Sequence, residues 1–270
     1  MHHLNFSCPF MDPVLLRFGP LTVNWYGLMY CLGTAAWYLI AYHELTRRQR
    51  PIPVRALPEL LFHGLLGAVI GARVGYVLVY NLPFFLESPW EIFALWHGGM
   101  SAHGFLVGAT IGGFLFVRRH KVPLRELADI CYLGLPVGLM LIKIGNFINC
   151  EGFGKPTALP WGVVFSAGGD LPRHPAQLYE AVLEGLLLFT ILWRVRLRNL
   201  KSGDLTCFFF IGYGSLRFVT DFFRDPDHFS GLIPAWLTLG QVMSLCVIAV
   251  GALGYFLPRI APRAGAEDSG

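Results

Sequence analysis

A chain of 270 residues that is 54% hydrophobic, only 14% charged and of mean hydropathy +0.53 has too little polar surface to stay in solution as a globule. A formal charge of +4 and a pI near 8.8 would suit nucleic acid, but the basic residues fall in short clusters between apolar segments, so no nucleic-acid partner is expected. The six cysteines show no CxxC spacing, and packed thiols are expected in place of a disulfide or a zinc site.

The residues up to Met11 lack a basic stretch, an apolar run and a small-residue cleavage site, so no cleavable signal is expected. A bilayer core of about 30 Å needs roughly 20 apolar residues in a helix. Seven stretches qualify: 22–42, 58–81, 99–117, 126–148, 176–196, 204–223 and 236–257. The expected fold class is an all-α polytopic membrane protein, one integral membrane domain over residues 1–270 with about seven transmembrane helices. Residues 82–97, with Phe84, Phe85, Trp90, Phe93 and Trp96, read as an amphipathic helix in the headgroup layer. Residues 149–175 are rich in Gly and Pro and read as a small extramembrane cap, the periplasmic head. Residues 261–270 are expected to be a disordered cytoplasmic tail. No internal repeat is visible, which argues against an inverted-repeat transporter.

Loop charges set the orientation. Arg47, Arg48, Arg50 and Arg55 follow the first stretch, Arg118, Arg119, Lys121 and Arg125 the third, and Arg194, Arg196, Arg198 and Lys201 the fifth; Arg259 and Arg263 follow the seventh. These 14 lie on one side against 4 on the other, namely Arg17, Lys155, Arg173 and Arg224. The expected topology has the N-terminus outside and the C-terminus in the cytoplasm.

Three cations remain inside the spans: Arg73, Lys143 and Arg217. Each costs about 2.5–3.5 kcal/mol at a helix centre, so each needs a partner or a purpose unless it snorkels to the interface. Lys143 and Asn146 share a helix face, and Tyr213, Arg217 and Asp221 form a stripe at i, i+4 and i+8. An Arg217–Asp221 ion pair would explain two of these five residues. His97 and His103 flank a glycine-rich turn at the start of the third stretch; metal binding is not expected there, and a general base is the better reading of His103.

Six segments together resemble the prolipoprotein diacylglyceryl transferase family: Trp25–Tyr30, Gly71–Tyr76, His97–Gly104, Gly145–Gly154, His174–Glu180 and Tyr213–Arg217. The signature GNFxNxExxG occupies Gly145 to Gly154. The resemblance implies seven spans, a periplasmic head and a place in the bacterial inner (cytoplasmic) membrane. It implies transfer of a diacylglyceryl group from phosphatidylglycerol to the lipobox cysteine of preprolipoproteins, with release of glycerol 1-phosphate and no metal or cofactor. The implied partners are phosphatidylglycerol, preprolipoprotein signal peptides and membrane lipid. The implied catalytic positions are His103, Tyr26, Arg217 and Tyr213, and the phosphatidylglycerol contacts are Lys143, Asn146, Glu151, Gly154 and Arg73. The chain departs from the family pattern at Ile142-Lys143, where Gly-Arg is usual, at Phe105, where glycine is common, and at Asp221, where glutamate is usual. Lysine keeps the charge but lacks the planar fork that grips phosphate in bidentate fashion. The alternative is a divergent paralog that binds anionic phospholipid or lipoprotein with little turnover.

Overall fold

The computed structural model describes residues 6–8, 12, 14–19, 21–48, 50–225 and 237–260. It is mostly helical, at 72%. In chain order the elements are β1 (Phe6–Cys8), β2 (Val14–Phe18), β3 (Leu21–Asn24), α1 (Trp25–Arg47), α2 (Leu57–Val79), α3 (Leu82–Glu87), α4 (Ala102–His120), α5 (Leu124–Ile148), β4 (Val163–Phe165), α6 (Ala176–Glu180), a π-helical segment (Ala181–Leu187), α7 (Leu188–Val195), α8 (Asp204–Thr220) and α9 (Leu239–Ile260). Each of the seven apolar stretches holds a helix. Among the described residues, Val54–Val79, Leu124–Ile148 and Leu239–Leu257 are long and apolar enough to cross a membrane by length and composition. The predicted tail at 261–270 lies outside the described residues.

The chain divides into two compact units, one of residues 41–128 and one of residues 1–40 with 129–270. In the 41–128 unit, α2 and α4 run antiparallel and in close contact. A Cβ on Gly67, Gly71, Gly104 or Gly108 would run into backbone of the facing helix, so only glycine permits this approach. Ser101 caps α4 by accepting the Gly104 amide at 3.2 Å, and its own amide donates to the Ala72 carbonyl at 2.9 Å. At the other end, Glu59 of α2 binds Arg119 at 2.8 Å and His120 at 2.9 Å. The predicted amphipathic helix at 82–97 is broken into α3 and two 3-10 turns, Pro89–Phe93 and Leu95–His97. Pro89 removes the amide that would continue the helix. The aromatic character persists: Trp90 and Trp96 are at least 80% exposed.

In the other unit α1 crosses α5 at Gly33 and Gly138, and the Trp37 indole donates to the Cys131 carbonyl at 3.1 Å. Leu133, Leu188, Leu192 and Phe209 form the core between α5, α7 and α8. Gly214 of α8 packs on the Ser244 carbonyl and Ile248 of α9. Thr238 and Gln241 cap α9 reciprocally, each accepting the other's amide at 3.1 Å.

Two sequence expectations need correction. The protein is not purely helical, because β2 and β3 form a small antiparallel hairpin and β1 pairs in parallel with β4. Cysteines 8 and 150 are not packed thiols: they form a disulfide across 142 residues, with Cα atoms 5.9 Å apart. Local spacing carries no sign of this pairing, since it depends on β1 lying beside β4. Phe147, Phe153, Val163 and Phe165 enclose the bridge.

Candidate functional site

The polar cluster of the larger unit centres on Glu180, the last residue of α6, whose side chain is 1% exposed. Lys143 of α5 brings its Nζ to 2.7 Å from Oε2. Arg224, beyond the end of α8, places a guanidinium nitrogen 2.9 Å from Oε1, and Arg217 of α8 pairs with the same oxygen. Arg217 also stands 3.5 Å from both Glu184 and Asp221. Those two carboxylates have further partners: Thr220 donates to Glu184 at 2.5 Å, and the Thr238 hydroxyl donates to Asp221. Buried charges persist when paired and hydrogen-bonded in this way. Glu180 and Glu184 sit where the helix widens into the π-helical segment, a distortion that recurs at functional sites. The side chains of Lys143, Arg217 and Arg224 are 23%, 18% and 25% exposed, so a rim of cations lies over a buried acidic floor.

The Gly145–Gly154 segment connects to this cluster through backbone. Gly154 donates to the His174 carbonyl at 2.9 Å, Lys155 donates to the Phe223 carbonyl at 3.0 Å, and Gly154 bridges Arg224, which keeps Arg224 beside the motif. A Cβ on Gly154 would collide with the Phe223 carbonyl and His174. Asn146 follows Lys143 by three residues, and its carbonyl accepts the Glu151 amide at 2.9 Å. Glu151 is exposed, and its carbonyl takes the Gln177 amide at 2.6 Å. Tyr26 hydrogen-bonds Tyr30 through the hydroxyls at 3.2 Å, and a Cβ on Gly145 would sit 3.0 Å from its ring. Tyr213, one turn before Arg217, stacks on Phe209 with ring centroids 5.6 Å apart.

Among the expected site residues, then, the larger unit gathers Lys143 and Arg217 directly. Gly154 joins them through Arg224, while Asn146 and Tyr213 stand one turn away along the same helices.

His103 and Arg73 belong to the 41–128 unit. His103 is exposed at the start of α4, on an apolar groove of about 610 Å³ between α2 and α4 that also carries Val74, Tyr80, Val107 and Leu115. Arg73 is 5% exposed. Its Nε donates to the Ile92 carbonyl at 2.8 Å, and its terminal nitrogens donate to the carbonyls of Glu91, Ala94, Gly98 and Gly99. A guanidinium has five N–H donors, and five carbonyls take them. With its donors taken by these carbonyls, Arg73 organises the backbone of residues 91–99 in this structure.

The buried carboxylates that pair Lys143 and Arg217, and the backbone tie to Gly154, bring the Gly145–Gly154 segment and these two cations together. A family model described as prolipoprotein diacylglyceryl transferase matches residues 13–257. The chain belongs to that family. Similar proteins include the phosphatidylglycerol–prolipoprotein diacylglyceryl transferases of Bordetella parapertussis (44% identical, 90% of this chain, 94% of that one), Geobacter sulfurreducens (44%, with the same coverages) and Methylocella silvestris (46%, 90% and 92%).

Three residues of the cluster escape a reading that counts only the cations inside the spans. Glu180 and Glu184 lie inside a predicted span, where a carboxylate is as informative as an arginine. Arg224 reads as a loop charge in the sequence, and its backbone pairing with Gly154 and its ion pair with Glu180 draw it inward.

Proposed function

We propose that this member of the transferase family moves the diacylglyceryl group of phosphatidylglycerol onto the lipobox cysteine of preprolipoproteins, the activity named for its relatives. The sulfur–carbon bond forms as the glycerol carbon–oxygen bond breaks, the electron pair leaves on the phosphate oxygen, and the thiol proton passes to a base. A thiol with a pKa near 8.5 is mostly protonated at neutral pH, so a base is needed. His103 is the proposed base. Lys143, Arg217 and Arg224 are the proposed phosphate contacts, with Tyr213, Asn146 and Tyr26 as neighbouring donors and Gly154 and Glu151 shaping the loop. Preorganised donors in a low-dielectric site stabilise a leaving phosphate more than solvated ones do.

The observation that carries this reading is the convergence of three cations beside the signature motif in a chain of this family. The alternative of a non-catalytic paralog is not favoured, because similarity to named transferases runs over 90% of the chain.

The same reading gives seven membrane spans, residues 149–175 as a periplasmic head, an external N-terminus and a cytoplasmic C-terminus in the inner membrane. The Cys8–Cys150 disulfide supports it: both cysteines fall in segments assigned to the outside, where disulfides persist. The exposed Leu39, Phe62, Leu106 and Phe256 suit a lipid-facing surface.

The purified protein, given phosphatidylglycerol vesicles and a lipobox peptide, is expected to form the diacylglyceryl thioether. A folded preparation that forms none overturns the assignment. In the same assay His103→Gln is expected to lower the rate and flatten its pH dependence, and an unchanged profile would remove His103 from proton transfer.

A further inference from the structure

We propose that Glu180 is a positioning residue of the transfer site: it gathers Lys143, Arg217 and Arg224 onto one point and offsets their charge so that the doubly charged glycerol phosphate product is not retained. This rests on the reading of Lys143 and Arg217 as phosphate contacts.

The geometry is asymmetric. Glu180 is 1% exposed, whereas each of the three cations keeps an accessible edge. The cations are therefore the more accessible members of the cluster and the carboxylate the least. Without that carboxylate, three like charges aimed at one point would repel and splay apart, strongly so where water is excluded. Glu184 and Asp221 do not substitute for it. They stand at 3.5 Å from Arg217 and hold threonine hydroxyls; Asp221 also reaches Arg224, at 3.9 Å, but among the described residues the 2.7 Å pair of Lys143 is with Glu180. Glu180 alone is shared by all three cations at close range.

The charge balance points the same way. The three cations and the carboxylates of Glu180, Glu184 and Asp221 cancel formally. The reaction turns a singly charged phosphodiester into a monoester that carries up to about two charges near neutral pH. A site with unopposed cations would hold product more tightly than substrate, and release would then limit turnover. A formally neutral cluster removes that bias while leaving cationic edges to orient the phosphate.

The test uses the full chain in phosphatidylglycerol nanodiscs. Inhibition of peptide modification is measured with glycerol 1-phosphate and with its singly charged methyl ester, at about pH 8, where the former is a dianion. The wild-type protein is expected to bind the two within about threefold of each other. Glu180→Gln is expected to tighten glycerol 1-phosphate roughly tenfold, tighten the ester less, and lower kcat and KM together. Glu180→Asp, which restores the charge, is expected to return the ratio toward wild type.

A wild-type preference for the dianion above about tenfold overturns the proposal, and this comparison stands even where Glu180→Gln does not fold. An unchanged ratio in folded Glu180→Gln also overturns it. The outcomes separate from the underlying reading through Lys143→Met. If that variant binds both probes as wild type does, the phosphate site itself is wrong. If it weakens both and Glu180→Gln leaves their ratio unchanged, only the role of Glu180 fails.

Discussion

Glu180 and Glu184 stand four residues apart in a stretch that reads as a membrane span, and they supply the partners that Lys143 and Arg217 need on the neighbouring apolar stretches. The sequence makes the cations conspicuous but leaves open what they face. A snorkelling lysine, an Arg217–Asp221 pair and a phosphate site all fit the spacing. The structure adds the acidic partners, and it makes Asp221 a secondary contact of Arg217. Lys143 reaches Glu180 with a single ammonium, so the cluster holds together without the arginine fork that the family pattern has here. His174, just before α6, carries a pH dependence of its own. Burial, and then the nearby Lys155 ammonium, hold its imidazole below the usual range. The folded state therefore favours neutral His174. Its contribution to stability is full above the usual value near 6.5 and fades as the pH falls toward the lowered one. Titration of labelled histidine by NMR is expected to give His174 a midpoint below about 6.5, and a midpoint at or above it would show that the ring gains no such environment on folding.

At the level of elements, helix positions are legible because an unbroken run of about 20 apolar residues matches the thickness of a bilayer core and exceeds what a buried strand or loop can use. The α2–α4 contact rests on glycines four apart at Gly67, Gly71 and Gly75 and at Gly104, Gly108 and Gly112, a spacing that a reading by hydropathy passes over. The short strands, the disulfide and the broken 82–97 segment are not legible. The β1–β4 pair and the disulfide depend on contacts between residues far apart, the broken 82–97 segment on a proline within an otherwise helical pattern, and the β2–β3 hairpin on strands too short to show a period. Arg73 belongs at this scale, because its guanidinium collects the carbonyls of residues 91–99 and stacks 5.2 Å over Phe85. Arg73→Met is expected to raise hydrogen exchange across residues 89–99 while leaving KM for phosphatidylglycerol within about twofold. A large rise in KM with unchanged exchange would return Arg73 to the substrate.

For the whole molecule, apolar composition and the uneven loop charges point to a membrane protein before any residue is assigned a role, and the family match gives that outline a chemistry. The Cys8–Cys150 bond ties the N-terminal strand to the middle of the signature motif. Gly154, Lys155, Phe223 and Arg224 tie the end of that motif to α8. The loop is thus fixed at two points around the charged cluster, which favours preorganisation over closure on substrate. Lys143 and Arg217 are proposed to act on the phosphate of the lipid donor. The most direct test of this is kcat/KM for phosphatidylglycerol in folded Arg217→Lys and Lys143→Met. The account predicts a loss of about a hundredfold or more for Arg217→Lys and a clear loss for Lys143→Met; values within about twofold of wild type for both would contradict it.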